Sequence, residues 1–254
     1  MDLSVTVGRW DVFLLVLFRV AAMVMVAPAL GARGVPVQVK VGLSVLLAIV
    51  LTPLQEVPGP IFTDWLSIAT SVAREVVIGL LLGFVATLLF SAVHMAAQVI
   101  GVQIGYGFSN VMDPLSAQNS SFLETLYNLM AIVVFLSLGG HHALIVGLSQ
   151  SFDMAPLGGP GLGPIVGERI VALSSMAFAI GLRMAMPIVG TMLLVDSATA
   201  LVVRSIPQMN VFVVGLPVKM VVGFLTLVGL TPLFVSGIAE LTRSVGSAVS
   251  GVLQ

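Results

Sequence analysis

The stretch VVIGLLLGFVATLLFSAVHMAAQVIGVQIGYGFSNVM, residues 76–112, runs for 37 residues without one Asp, Glu, Lys or Arg. Wound as a single helix it would reach about 55 Å at about 1.5 Å per residue. A bilayer core is only about 30 Å thick. The segment must therefore break, tilt steeply or project beyond the membrane, and Gly101, Gly105 and Gly107 mark the expected break.

The rest of the chain agrees with a membrane reading. Hydrophobic residues make up 58% of its 254 residues and charged residues 8%, against roughly 25% charged in a soluble protein. So few charges cannot dress the surface of a water-soluble globule, and the remaining apolar surface must face lipid or other subunits. The net charge of −1 and the lack of a basic run give no basis for binding nucleic acid. With no cysteine there are no disulfides, thiolate metal sites or cysteine nucleophiles. Asp2, Arg9 and Asp11 precede the first apolar run, which reads as retained rather than as a cleaved secretory signal.

Upstream of residues 76–112 lie two apolar segments. Val12 to Ala32 contains Arg19 and Pro28; a basic turn with Arg33, Pro36 and Lys40 leads to Val41–Leu54, short for a span at 14 residues. An acidic, proline-rich loop carries Glu56, Pro58, Pro60 and Asp64. Downstream come the longest polar tract, Ser109 to Ser121, an apolar run from Leu126 to Phe152 with His141 and His142, and a loop rich in glycine and proline from Pro156 to Gly167. The run Ile170 to Val203 holds Arg183, Pro187 and Asp196. A basic connection runs from Arg204 through Pro207 and Pro217 to Lys219, and the last apolar run is Met220 to Ala239, followed by a small-residue tail. About six hydrophobic segments result, with no alternation of the outer-membrane barrel type and no clean internal repeat. Alternating crossings put Arg33, Lys40, Arg204 and Lys219 on one side and Arg9, Arg169 and Arg243 on the other. The positive-inside rule then makes the first side cytoplasmic and the amino terminus external.

Chemistry for catalysis is missing. There is no HExxH zinc motif, no GxSxG elbow and no Walker loop. His141 and His142 are adjacent, whereas helical ligand pairs sit three or four residues apart, and His94 is distant in sequence. No enzyme activity, cofactor or metal is expected. Arg19, Arg183 and Asp196 lie inside apolar runs, where facing lipid is costly, so they are expected as buried charges facing protein or water. They serve either a translocation path or relay, or a buried ion pair or a snorkelling end residue. Gly79 and Gly83, Ala92 and Ala96, then Ala97, Gly101 and Gly105 have the small-residue spacing that lets helix backbones approach closely. The 13 methionines suit irregular apolar contacts.

The stretch Arg204 to Lys219, RSIPQMNVFVVGLPVK, resembles the signature of the FliR family at Pro207, Gln208, Asn210, Gly215, Pro217 and Lys219. Arg19, Pro28, Pro36 and Lys40 are similar to the family's amino-terminal pattern. Gly105, Gly107, Asp113 and Pro114 look like its central loop, and Gly140-His141, Ser151-Phe152 and Pro156 like the following helix and its exit. The resemblance runs in order over nearly the whole chain, read as one membrane domain, residues 1–254.

The resemblance implies an all-α membrane protein with long, broken helices and helical hairpins that packs into a hetero-oligomeric export gate. The implied partners are FliP-like and FliQ-like subunits, FlhA-like and FlhB-like gate proteins, unfolded protein substrates and membrane lipid. The resemblance also implies a separate ATPase that delivers the cargo. The implied place is the bacterial inner membrane at the flagellar basal body, with much of the assembly raised above the membrane plane. The family's plug maps onto Gly105, Gly107, Phe108, Ser109, Asn110, Met112, Asp113, Pro114 and Phe122. Read from the residues alone, the same tract is better taken as an ordinary exposed turn. Pro207 and Pro217 are expected to interrupt helices, with Gln208 and Asn210 capping the freed backbone groups in a hairpin bend. The rival readings are a secondary transporter of a small solute, a structural scaffold, and the injectisome counterpart of the gate subunit.

Overall fold

A computed structural model of the chain describes residues 10–32, 34–55, 64–105, 122–159, 165–205 and 211–252. Among these residues there are seven α-helices, one short 3-10 turn and no strand. Helix α1 is Trp10–Val26. Helix α2 is Val37–Leu51, extended by the 3-10 turn Thr52–Leu54. Helix α3 is Trp65–Ile104, α4 is Phe122–Ser137 and α5 is Gly140–Met154. Helices α6, Ile165–Ser205, and α7, Val211–Gly251, have 41 residues each. Val37–Leu54, Trp65–Ile104, Val166–Ser205 and Val214–Val249 are long and apolar enough to cross a membrane; Leu123–Ser137 with Gly140–Met154 adds a fifth span if counted as one broken helix. The chain is an all-α membrane protein.

Local chemistry sets the boundaries. Helix α1 stops two residues before Pro28, as expected where a proline restricts its predecessor. The turn that follows is tight: a Cβ on Gly31 would lie 2.5 Å from the Met25 carbonyl oxygen. The Lys40 ammonium donates to the Gly31 carbonyl at 2.8 Å, tying α2 to this turn. Helix α3 ends at Gly105, whose φ of +100° lies in the left-handed region that side chains avoid.

The helices form two compact units, each described by itself. The first comprises residues 1–89, 139–174 and 242–254. Its buried side chains include Val12, Leu15, Val16 and Val20 of α1, Ile78, Leu82, Val85 and Ala86 of α3, Leu144 and Leu148 of α5, and Val245 and Val249 of α7. Gly79, Gly83 and Thr87, four residues apart on α3, form a flat strip against α1. Gly79 meets the Arg19 carbonyl and Ala22, Gly83 meets Met23 and Val26, and the Thr87 hydroxyl donates to the Val26 carbonyl at 2.8 Å. The second unit comprises residues 90–138 and 175–241. There Phe90 meets Phe135 edge-on at 5.1 Å, and Tyr127 stacks on Phe234 at 4.4 Å. Gly181 of α6 lies against the Ala92 carbonyl of α3.

Several boundaries differ from the sequence reading. Helix α3 starts at Trp65, 11 residues before the charge-free stretch, and Gly101 is buried inside it. The break falls at Gly105; Gly107 lies outside the described residues. The apolar run Leu126–Phe152 is two helices, because Gly139 adopts φ +73° between α4 and α5. Helix α2 starts at Val37, directly after Pro36. Pro217 does not interrupt a helix: α7 passes through it and through Pro232, as α6 passes Pro187. Membrane helices tolerate such prolines because neighbouring groups satisfy the freed carbonyls. The small-residue tail after Ala239 is the last part of α7.

Candidate functional site

The polar centre of the first unit is built on Arg19. Its side chain and that of Glu75 are fully buried. Arg19 Nε donates to Glu75 Oε2 at 2.6 Å. Its Nη1 donates to the carbonyl and hydroxyl oxygens of Ser151 at 3.0 and 3.2 Å, and its Nη2 to the Ala155 carbonyl at 2.7 Å. The guanidinium carbon lies 4.2 Å from the centre of the Phe152 ring, a cation–π contact. Arg74 completes the group, with Nη1 donating to Glu75 Oε1 at 3.3 Å and to the Pro156 carbonyl at 2.9 Å.

Sequence and packing explain why these groups meet. Glu75 lies one turn before Gly79, and Gly79 lets the α3 backbone press onto α1 at Arg19 itself. Helix α5 ends at Met154, so the Ala155 carbonyl just beyond it is open to a side-chain donor, and the Ser151 carbonyl accepts from Arg19 in addition to the Ala155 N–H that closes the helix at 2.9 Å. The cluster fastens α1, α3 and the exit of α5 together. Among the described residues no group of three His, Asp or Glu could hold a metal.

The second unit carries the described half of the Pro207–Lys219 motif. Lys219 Nζ lies 2.7 Å from Asp196 Oδ1, and the side chains are 23% and 46% exposed. Gly215 and Val218 of α7, with Val195, Ala198, Thr199 and Val202 of α6, line an apolar cavity of about 240 Å³. Because the ion pair is exposed, removing either partner is expected to cost at most about 1 kcal/mol. Lys219→Ala and Asp196→Ala should therefore melt close to the parent in detergent; a loss several times larger would mean that the pair is buried in the working assembly.

The positions singled out in the sequence are distributed unevenly. Arg19 is buried, whereas Asp196 and Arg183, expected among the buried charges, are exposed on this chain. Asp196 pairs across to α7, and Arg183 has no ion-pair partner among the described residues. Gly105 ends α3, with Leu216 of α7 3.1 Å from where its Cβ would be, and Phe122 opens α4. Gly107, Phe108, Ser109, Asn110, Met112, Asp113, Pro114, Pro207, Gln208 and Asn210 lie outside the described residues. His94, His141 and His142 are exposed. The sequence reading missed Arg74 and Glu75. The available signal was a carboxylate at the head of a charge-free run, in a chain with an arginine inside another run.

Residues 10–245 match the family model described as "Bacterial export proteins, family 1". The chain is also 32% identical over 239 residues to "Flagellar biosynthetic protein FliR" of Escherichia coli (strain K12), covering 91% of this chain and 90% of that one. The chain belongs to the FliR family of bacterial export proteins. The protein of the same name from Bacillus subtilis (strain 168) is 33% identical over 227 residues, 87% of this chain and 86% of the relative. That from Aquifex aeolicus (strain VF5) is 30% identical over 220 residues, 87% and 85% of the two chains. The Arg19 cluster, residues 105–122 and the Pro207–Lys219 motif all fall within the stretch that the FliR-family match covers.

Proposed function

We propose that this FliR-family chain is a membrane subunit of the flagellar type III protein-export gate. In this reading it forms, with FliP-like and FliQ-like subunits, the channel through which unfolded flagellar substrates cross the inner membrane at the basal body. FlhA-like and FlhB-like gate proteins act with it, and its role is structural and gating rather than enzymatic. The observation that carries the reading is the family match over residues 10–245, with relatives named for flagellar biosynthesis. The shape of the elements supports it. Helices α6 and α7 would each reach about 60 Å, twice a bilayer core. Only 33% and 22% of their most apolar windows are buried within the chain. Such helices suit a subunit packed among others better than a transporter complete in itself. We assign the tract from Gly105 to Phe122 to the channel plug: its serines and asparagines suit a watery constriction. The Pro207–Lys219 motif is assigned to subunit assembly.

A detergent pull-down of the tagged chain from its native membrane, followed by mass spectrometry, tests the reading. FliP-like and FliQ-like proteins are expected in constant ratio. A monodisperse chain without them that takes up a small solute in liposomes would make it a transporter instead.

A further inference from the structure

Arg183 sits on α6 in surroundings that suit neither lipid nor water. Uncharged helix runs on both sides of it, residues 170–182 and 184–195, about 18–20 Å each way. Its side chain is exposed, and among the described residues it makes no hydrogen bond or ion pair. Residues three or four apart share one face of a helix. Met176, Ala179, Arg183, Met186, Gly190 and Leu194 follow that spacing along α6, and all are exposed. Arg183 is thus the single charge on a continuous apolar stripe of the second unit.

Neither medium can cover that stripe well. Hydrocarbon penalises a guanidinium that faces it in mid-helix. Water is no better for Met186 and Leu194, which are 56% and 73% exposed and with Met176 make a contiguous apolar patch. A protein surface that is apolar and brings one negative group answers both demands, because the arginine stays charged whatever covers it. Gly190 adds that the surface comes close. Nothing in this chain lies within 4 Å of where its Cβ would stand, so packing inside the chain does not account for a residue that weakens a helix. A second copy of this chain is poorly equipped to supply the negative group. Among the described carboxylates well inside long helices, Glu75 is held by Arg19 and Arg74, Asp196 is held by Lys219, and Glu240 has Arg243 three residues on.

We propose that this stripe of α6 docks an apolar helix of a different subunit, and that an Asp or Glu on that helix pairs with Arg183. The proposal rests on the export-gate reading, which provides the neighbouring subunits. The test uses the tagged full chain in its native membrane. The photo-reactive residue p-benzoylphenylalanine replaces Met186 on the stripe or, separately, Leu193 at its edge, and mass spectrometry identifies the cross-linked peptide. The chain with Arg183 intact should cross-link to a segment of another subunit that carries an Asp or Glu inside an apolar run. Arg183→Glu should lower that cross-link roughly tenfold or more, since like charges facing each other across an interface repel. Arg183→Lys should keep most of it, and changing the partner's carboxylate to Arg in the Arg183→Glu background should restore it. Purified alone in detergent, Arg183→Glu should melt like the parent, because the side chain is exposed and unpaired; a lost cross-link is then not a folding defect. Equal cross-linking with Arg183 and with Arg183→Glu would overturn the proposal. So would a cross-link to a second copy of this chain, or to no protein at all while other subunits co-purify. If no subunit co-purifies with the parent, the export-gate reading itself fails and takes this proposal with it.

Discussion

Glu75→Ala should destabilise the chain by about 3–5 kcal/mol, the range for removing one partner of a buried ion pair. The loss is large because of what stays behind. Arg19 would keep its bonds to Ser151 and Ala155 but would have no counter-charge in a site closed to solvent, and Arg74 would lose the same carboxylate. Thermal melting followed by size-exclusion in detergent would read the effect as a large drop in melting temperature. Arg19→Ala should cost a similar amount, since it leaves Glu75 with only the longer bond to Arg74 and empties the site of a fully buried side chain. The double variant Arg19→Met with Glu75→Met should recover much of the loss, because an apolar pair of similar volume has no charge to desolvate. A Glu75→Ala protein that melts like the parent would mean that the cluster contributes no net stability.

Gly79→Ala should be nearly as damaging, although it adds only one methyl group. That methyl would run into the backbone carbonyl of Arg19 and come within 2.8 Å of the Ala22 side chain. A backbone atom cannot rotate aside as a flexible side chain can, so α1 and α3 must separate. Overpacking usually costs about 1–3 kcal/mol; here separation also stretches the Arg19–Glu75 bond one turn away, which should bring the loss to the upper end. Gly190→Ala is the matched control. Its Cβ would meet nothing within 4 Å, so the substitution should be neutral or stabilising by up to about 1 kcal/mol through helix propensity. Equal melting of the two variants would show that close α1–α3 contact is not what Gly79 secures.

The sequence carried the fold class plainly and the helix boundaries less well, for identifiable reasons. Composition and the uncharged stretch at 76–112 require a membrane protein. The true start of α3 was hidden because Arg74 and Glu75 look like a membrane boundary when read along the chain. Arg19, 56 positions away, together with the neighbouring Arg74, supplies the counter-charge that a fully buried Glu75 needs. The split between α4 and α5 was masked by unbroken apolar character, although the pair Gly139-Gly140 lay inside it. Asp196 was read as a buried charge and Lys219 as a loop cation; their pairing depends on how α6 faces α7, which periodicity does not specify. In the first unit, Arg19 stands out in the sequence as a charge inside an apolar run, whereas Ser151, Phe152 and Pro156 stand out only by their likeness to a family pattern. Their shared purpose became visible once one guanidinium was seen to touch Ser151, Phe152 and Ala155 at the exit of α5 that Pro156 continues.

The Arg19 cluster also sets a timetable for synthesis. Glu75 leaves the ribosome 56 residues after Arg19, and Ser151 leaves 132 residues after it. At about 5–20 residues per second, the carboxylate follows after about 3–11 s and the α5 acceptors after about 7–26 s. Throughout that interval α1 is an apolar helix with a naked cation at its middle, at an insertion cost of about 2.5–3.5 kcal/mol. Helix α1 is thus made well before the groups that complete its contacts, and a pause in translation between residues 19 and 75 delays its counter-charge.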